Sequence, residues 1–446
     1  MSESAVLLLI FVFIVVFIIV FTSKIKLHPF IVLLISSMLC GIFAGLPITK
    51  TLQIISEGFG SILKNIGIVI AFGSIIGYIL SKSGGALRMA ETVLRIVGQK
   101  RSALAMSLTG FLVSIPVFCD SGFIILSSLN RALSRKSKIS LSVFAIALST
   151  GLYASHVFVP PTPGPLAAAS NLNADIGLVI ILGIIVSIPA VAAGYFWAVK
   201  YTARFKIIVK EDDSEDMNPD NVKLPGRFKS FLPILFPLVL IALKSVADFP
   251  SHPFGSGTLL TLFDFIGNPI TALMIGIFLS FLLVPNLNKE VIHDWVGNGL
   301  RNAGVIILIT GAGGSLGAIL KETEIGVVFG NFLSRFHLGI FLPFLIAAAL
   351  KTAQGSSTVA IITTSALMVP MLSNMGFDSS LGRALIVLSI GAGSMTVSHA
   401  NDSYFWVVSQ FSDMDVSTAY KCQTLGSLII GLAGITGVAL ISFILL

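Results

Sequence analysis

Charge is scarce in this sequence: Asp, Glu, Lys and Arg make up 11% of 446 residues and hydrophobic residues 55%, where a soluble domain carries about 25% charged residues. So few charges cannot clothe a water-facing surface, and no stretch remains for a separate soluble domain. Cysteine is nearly absent. Cys40, Cys119 and Cys422 lie far apart in apolar surroundings and form no Cys-x-x-Cys pair, so neither a disulfide framework nor a metal site is expected. A Walker A sequence, His-Glu-x-x-His and a Gly-x-Gly-x-x-Gly following a strand are missing as well. ATP-driven transport and the common cofactors therefore lack a binding motif, and uphill movement of a solute would draw on an ion gradient.

What the chain does have is apolar runs approaching the roughly 20 residues that cross about 30 Å of hydrocarbon, repeated along its whole length. The first, Ala5 to Phe21, has no basic region before it and no Ala-x-Ala-like cleavage site after it, and reads as a span rather than a signal peptide. Four more are predicted at Pro29 to Leu46, Ile62 to Leu80, Ile139 to Val159 and Ile176 to Val199. A second set of five follows at Phe231 to Val246, Pro269 to Val284, Val305 to Leu320, Ala384 to Val397 and Leu425 to Leu446. Two apolar segments, 104–129 and 338–372, are awkward as one span and short for two. Each has a polar centre, Cys119-Asp120-Ser121-Gly122 and Gln354-Gly355-Ser356-Ser357-Thr358, and reads as a re-entrant hairpin turning there.

Basic residues report orientation in such a chain, because they stay on the cytoplasmic side. With the hydrophilic stretch 200–229 taken as a cytoplasmic linker, cytoplasmic loops hold 21 of the 28 Lys and Arg, six lie outside, and Lys351 falls within the second hairpin. This arrangement puts both termini outside and makes the net charge of +7 a mark of topology rather than of nucleic-acid binding. The expected organisation is 1–199 as one repeat, 200–229 as linker and 230–446 as a second repeat.

Self-similarity supports that division. Ser74 to Leu80 aligns with Gly314 to Leu320, and Ser149-Thr150-Gly151 with Ser389-Ile390-Gly391, both at an offset of 240. Five spans separate equivalent points, so the second copy is inverted, and substrate sites of transporters commonly lie between inverted repeats. A polar break follows the fourth span of each copy: Val159 to Pro165, rich in helix-ending proline, and His399 to Ser403. The offset superposes Thr162 on Asp402.

Hydroxyls and amides at hairpin tips, with the partial positive charge of half-helix N-termini, suit a carboxylate. Ser121, Gly122, Ser356, Ser357 and Thr358 are the candidates. Each could equally be a small residue that lets helices pack closely. Asp120 and Asp402 are stronger candidates, since an ionisable group at membrane depth is costly. They could carry a coupling proton, with His399 and His156 as the next groups able to titrate near neutrality. Lys351 could balance an aspartate or attract the anion, or could snorkel. Gly313-Gly314-Ser315-Leu316-Gly317 matches the Gly-x-Ser-x-Gly pattern of a serine hydrolase. No His lies on a neighbouring turn and the repeat partner is Gly73-Ser74-Ile75-Ile76-Gly77, so packing is the preferred reading. An ion channel is the main alternative to a carrier.

Several ordered motifs carry a resemblance. They are Ser83-Gly84-Gly85-Ala86, Pro160-Pro161-x-Pro163-Gly164-Pro165, Gly311-Ala312-Gly313-Gly314, Gly355-Ser356-x-Thr358-Val359-Ala360, and Ser398-His399-x-Asn401-Asp402 followed by Phe405-Trp406. In combination they resemble the gluconate permease (GntP/DsdX) family of bacterial symporters over essentially the whole chain. The resemblance implies an all-α polytopic protein of the bacterial inner membrane, related to dimeric elevator-type transporters with paired hairpins and broken helices. It also implies import of gluconate, a related sugar acid or D-serine, generally with a proton. Thr162, Gly355 and Asn401, which the inverted halves bring toward one midplane cavity, and Gly164 of the proline motif complete the substrate-binding candidates. The expected partners are a small anionic hydroxycarboxylate, a coupling cation (a proton before sodium), the lipid bilayer and a second copy of the chain. Where family gluconate carriers tend to show an aromatic pair and Glu at the first hairpin, this chain reads Val117-Phe118-Cys119-Asp120-Ser121. That leaves gluconate, fructuronate, glycerate and D-serine all open.

Overall fold

The computed structural model describes residues 3–207, 224–247, 257–323, 325, 328, 338–399 and 402–446, and among these every regular element is helical. The first half runs α1 (Glu3–Ser23), α2 (Pro29–Phe43), α3 (Ile48–Ile62), α4 (Ile68–Lys82), α5 (Gly85–Val97), α6 (Ser102–Val113), α7 (Cys119–Ser137), α8 (Leu141–Phe158), α9 (Pro163–Asn171) and α10 (Ile176–Lys200). The second runs α11 (Arg227–Ala247), α12 (Thr258–Ile266), α13 (Pro269–Phe281), α14 (Val296–Glu322), α15 (Phe341–Gln354), α16 (Ser357–Met368), α17 (Ser380–Ser394), α18 (Ser403–Phe411) and α19 (Leu425–Leu445).

The starts and breaks follow from local chemistry. Proline occupies the first turn of α2, α9 and α13, where its missing N–H costs nothing. His28, Asp175 and Asn268 cap α2, α10 and α13 with side-chain acceptors. Gly84, at φ 76°, lets the chain turn 72° between α4 and α5. Gly77 serves packing instead: a Cβ there would lie 2.2 Å from the Pro116 carbonyl oxygen, so only glycine admits the first hairpin's turn against α4.

Several expectations need correction. The third predicted span, Ile62 to Leu80, is part of a longer helix in which α3 continues into α4 through a π turn at Leu63–Gly67. The first hairpin turns at Ser114–Phe118, not at Cys119–Gly122, which instead forms the first turn of α7. Pro116 cannot donate a helical hydrogen bond, and the Ser114 hydroxyl closes the turn on the Val117 carbonyl at 3.0 Å. The linker is shorter than 200–229, because Arg227 already begins α11; residues 208–223 lie outside the described set. Helices α5, α9, α12 and α18 were not anticipated as separate elements.

Four helical stretches, 141–171, 176–204, 290–322 and 416–445, are individually long and apolar enough to cross a membrane. Two bent pairs, α4 with α5 and α12 with α13, bring the number to six. Other predicted spans are shorter: α2 and α17 have 15 residues each, about 22 Å of helix. Helix breaks shorten these elements while leaving the apolar run in the sequence intact. With exposed apolar residues such as Phe443, Ile188 and Phe278 on its periphery, the chain is a multi-pass membrane protein.

Packing forms two apolar cores. One joins α6, α7, α8, α10, α17 and α19; the other joins α1, α2, α4, α14 and α16. Span α8 is buried along its whole length, so polar groups on it face protein rather than lipid. The start of α7, the turn before α16 and the break before α18 come together at Tyr153 and His156 of α8.

Candidate carboxylate site

Three helix N-termini converge on one cavity of about 110 Å³. The first turn of α7 contributes Phe118, Cys119 and Asp120. The start of α16 contributes Gly355, Ser356, Ser357 and Thr358, and the start of α18 contributes Asp402, Ser403 and Tyr404. Tyr153 and His156 complete the lining from α8. Each N-terminus brings roughly half a positive charge and N–H groups without intrahelical partners.

Each helix starts here for a local reason. Gly355 ends α15 in the left-handed region at φ 79°, and Ser356 caps α16 by accepting from the Val359 N–H at 3.3 Å. Asp402 caps α18 by accepting from the Tyr404 N–H at 3.0 Å. Its other oxygen, Oδ2, accepts from Lys351 Nζ at 2.6 Å and from the Ser398 hydroxyl at 2.5 Å. Lys351 is fully buried and also donates to the Gly355 carbonyl at 2.8 Å. One ammonium thus ties the second hairpin's turn to the broken helix. Such a buried pair is made tolerable by further hydrogen bonds on both sides, to the Gly355 carbonyl from Lys351 and from Ser398 and Tyr404 to Asp402.

Asp120 makes a side-chain hydrogen bond with Ser403, while its Oδ1 is buried without a hydrogen-bond partner, as is Nδ1 of His156. Tyr153 crosses from α8 to the second hairpin, its hydroxyl 2.6 Å from Ser357 Oγ and its ring 6.0 Å from Lys351 Nζ. Tyr404 packs edge-on against Tyr153 at 5.2 Å and donates to the Ser149 carbonyl at 3.0 Å.

Of the sequence candidates, Asp120, Gly355, Ser356, Ser357, Thr358 and Asp402 come together here, with Lys351 behind Asp402. The others sit elsewhere. Ser121 is exposed on α7. Gly122 packs against Leu152, and Gly164 against Ile361. Thr162 lines a neighbouring crevice and donates its hydroxyl to the Val159 carbonyl at 2.7 Å. His399 is bonded through Nε2 to the Thr352 carbonyl at 2.8 Å, and Asn401 lies outside the described residues. Sequence reasoning missed Tyr153, Tyr404 and Ser398. A signal existed for the first, since Tyr153 and His156 are three apart and share a face of α8. Ser315 donates to the Ile55 carbonyl at 2.8 Å, a helix-packing bond rather than a nucleophile's contact.

The GntP family permease model matches residues 6–444. The chain belongs to the GntP permease family. It is 34% identical to a gluconate permease of Pseudomonas aeruginosa over all of this chain and 99% of that protein. It is 32% identical to the D-serine transporter DsdX of Escherichia coli over 97% of each chain. Among solved structures, the YdaH transporter of Alcanivorax borkumensis shares the fold with a TM-score of 0.67, covering 94% of this chain and 99% of that one at 13% identity. As a GntP permease the chain is a transporter and not an enzyme, in agreement with the structural use of Ser315. Its expected helical, multi-pass character also stands.

Proposed function

We propose that this permease imports a small hydroxycarboxylate, an aldonate such as gluconate, across the inner membrane by proton symport. The observation that carries the reading is the convergence of three helix N-termini and the Ser356, Ser357 and Thr358 hydroxyls on one cavity. A carboxylate would lie against the N-termini of α16 and α18, and the substrate hydroxyls against the serines and Tyr153. Lys351 keeps Asp402 neutralised, so the anion meets no net negative charge on that wall. Asp120, whose Oδ1 has no hydrogen-bond partner, would take the coupling proton when the anion enters, with His156 as its neighbour; the pair then crosses without added charge from the site. Ser121, Gly122, Thr162, Gly164 and His399 would act by shaping the hairpins and breaks. Similarity to the gluconate permease agrees with this substrate class. A second reading, D-serine, is favoured by the unpartnered Asp120 Oδ1, which could accept an ammonium, and by the similarity to DsdX.

The proposed architecture is two inverted repeats whose hairpins enter from opposite sides, with both termini outside, assembled as a dimer and working as an elevator. Cross-loop contacts support this sidedness. Lys50 with Glu322, Lys244 with Asp264 and Arg383 with the Leu172 carbonyl join segments assigned outside. Arg88 with the Pro225 carbonyl and Arg131 with Asp413 join segments assigned to the cytoplasm. Repeat-matched Gly77 and Gly317 each face a hairpin, at Pro116 and Ala366, as a smooth interface for relative motion requires.

Uptake by proteoliposomes decides the substrate. Gluconate, fructuronate, glycerate and D-serine are offered as labelled substrates and as competitors, with external pH recorded. Aldonate uptake with external alkalinisation, saturation and counterflow is expected. Failure of all three sugar acids to move or compete sinks the reading, D-serine alone moving selects the second, and flux without saturation or counterflow indicates a channel.

A further inference from the structure

Beside the carboxylate cavity lies a second, smaller crevice of about 10 Å³, which shares Phe118 with it and is lined by Ser74, Pro116, Val117, Pro161 and Thr162. That is the space of about one water-sized sphere. We propose that this crevice binds one monovalent cation of sodium size through uncharged oxygens, a site separate from the proton-carrying carboxylate.

Beside the Ser74 hydroxyl and the Phe118 N–H, the lining offers few donors. Pro116, Pro161 and the adjoining Pro163 have no N–H. The Val117 and Thr162 N–H groups already donate to the Val113 and Val159 carbonyls, at 3.3 and 3.4 Å. The Thr162 hydroxyl proton is committed to the Val159 carbonyl, which leaves the lone pairs of its oxygen available. Ser74 is 7% exposed, and its hydroxyl, in the crevice, has no hydrogen-bond partner. The Pro116 and Pro161 carbonyls approach the same turn of α4 that carries Ser74, at Gly77 and Gly73. Two helices, α6 and α8, end where the crevice begins, and helix C-termini carry partial negative charge. Half-helix C-termini and unwound carbonyls of this kind suit a small hard cation.

The other half of the chain indicates why a cation, rather than a water, belongs there. At the junction of the second hairpin and its broken helix the chain supplies its own cation, Lys351 Nζ, bonded to the Gly355 carbonyl and Asp402. Lys351 stands five residues before the helix cap Ser356; the residue five before the corresponding cap, Phe118, is Val113. Thr162 superposes on Asp402 in the repeat offset. The first junction therefore has a like set of oxygens, uncharged, and no ammonium of its own.

The test uses the full-length protein purified in detergent at one pH and ionic strength. Thermal melts are compared in NaCl, KCl and choline chloride, and binding of ²²Na⁺ is measured directly. The expected result is sodium-specific stabilisation, saturable binding of one ion per chain, and a half-saturating concentration raised about tenfold or more in Ser74→Ala, the loss of about 1.4 kcal/mol of binding. Thr162→Val, isosteric and less disturbing to the turn than a deletion, should weaken sodium binding likewise. Equal melts in all three salts with no saturable ²²Na⁺ binding would mean a water only and overturn the proposal. So would wild-type sodium affinity in both variants. No substrate enters these measurements, so they stand or fall apart from the uptake assay.

Discussion

The two junctions between hairpin and broken helix use similar backbone and opposite charge arrangements. At the second, Lys351 bonds both the Gly355 carbonyl and Asp402, and Asp402 is held as well by the Ser398 hydroxyl and the Tyr404 N–H. At the first, Thr162 and proline carbonyls stand without a side-chain cation, and Asp120 nearby has a buried oxygen with no partner. The internally neutralised junction can hold a fixed geometry. In the proposed reading, the open one is completed by a ligand that comes and goes.

The largest effect should come from breaking the closed junction. Lys351→Met or Asp402→Asn alone leaves a buried charge or strong acceptor without its partner, at about 3–5 kcal/mol. Each should lower the melting temperature of the purified protein by several degrees and abolish uptake, and the double variant should cost less than the sum. Additive losses would show that the pair is not a unit and would erase the contrast between the junctions.

Next in size is Asp120→Asn. Concentrative uptake driven by a pH gradient should vanish while substrate exchange across equilibrated vesicles persists, with the melt little changed. Accumulation at the wild-type level would remove Asp120 from coupling and leave the first junction without a titrating group.

Gly355→Ala tests the geometry of the second turn. At φ 79° an alanine costs about 1–2 kcal/mol, and substrate affinity, read as the half-saturating concentration for uptake, should weaken because the α16 N-terminus moves. The smallest effect is expected for Tyr153→Phe, which removes one bond to Ser357, about 1 kcal/mol. A fewfold weaker half-saturation with normal maximal rate would mark Tyr153 as a positioning residue. An unchanged value would confine it to packing.

Parts of this site were legible before any coordinates. Asp120, Asp402 and Lys351 stand out because charge at membrane depth is expensive, and the structure puts Lys351 and Asp402 2.6 Å apart. Gly355-Ser356 is read correctly as a turn, since glycine in the left-handed region followed by a serine cap is a local signal. The first turn was misplaced for a related reason. Asp, Ser and Gly are common in turns, but Asp and Ser also favour the first turn of a helix, and Pro116, three residues earlier, is what interrupts the chain. Tyr153 and Tyr404 carried little signal, because a tyrosine in an apolar run has no single meaning until its hydroxyl partner is known.

By itself, the sequence determined that water could not be the solvent, that the chain would be helical, and where polar residues interrupt its apolar runs. These are consequences of composition and local backbone chemistry, which act within a turn or two. Which interruptions meet was decided only by tertiary structure. Periodicity gives the face of each helix but not the crossing that brings Tyr153 to Ser357 or Lys351 to Asp402. The same holds for the crossing that separates Thr162 from the carboxylate cavity and leaves it in the crevice with Ser74.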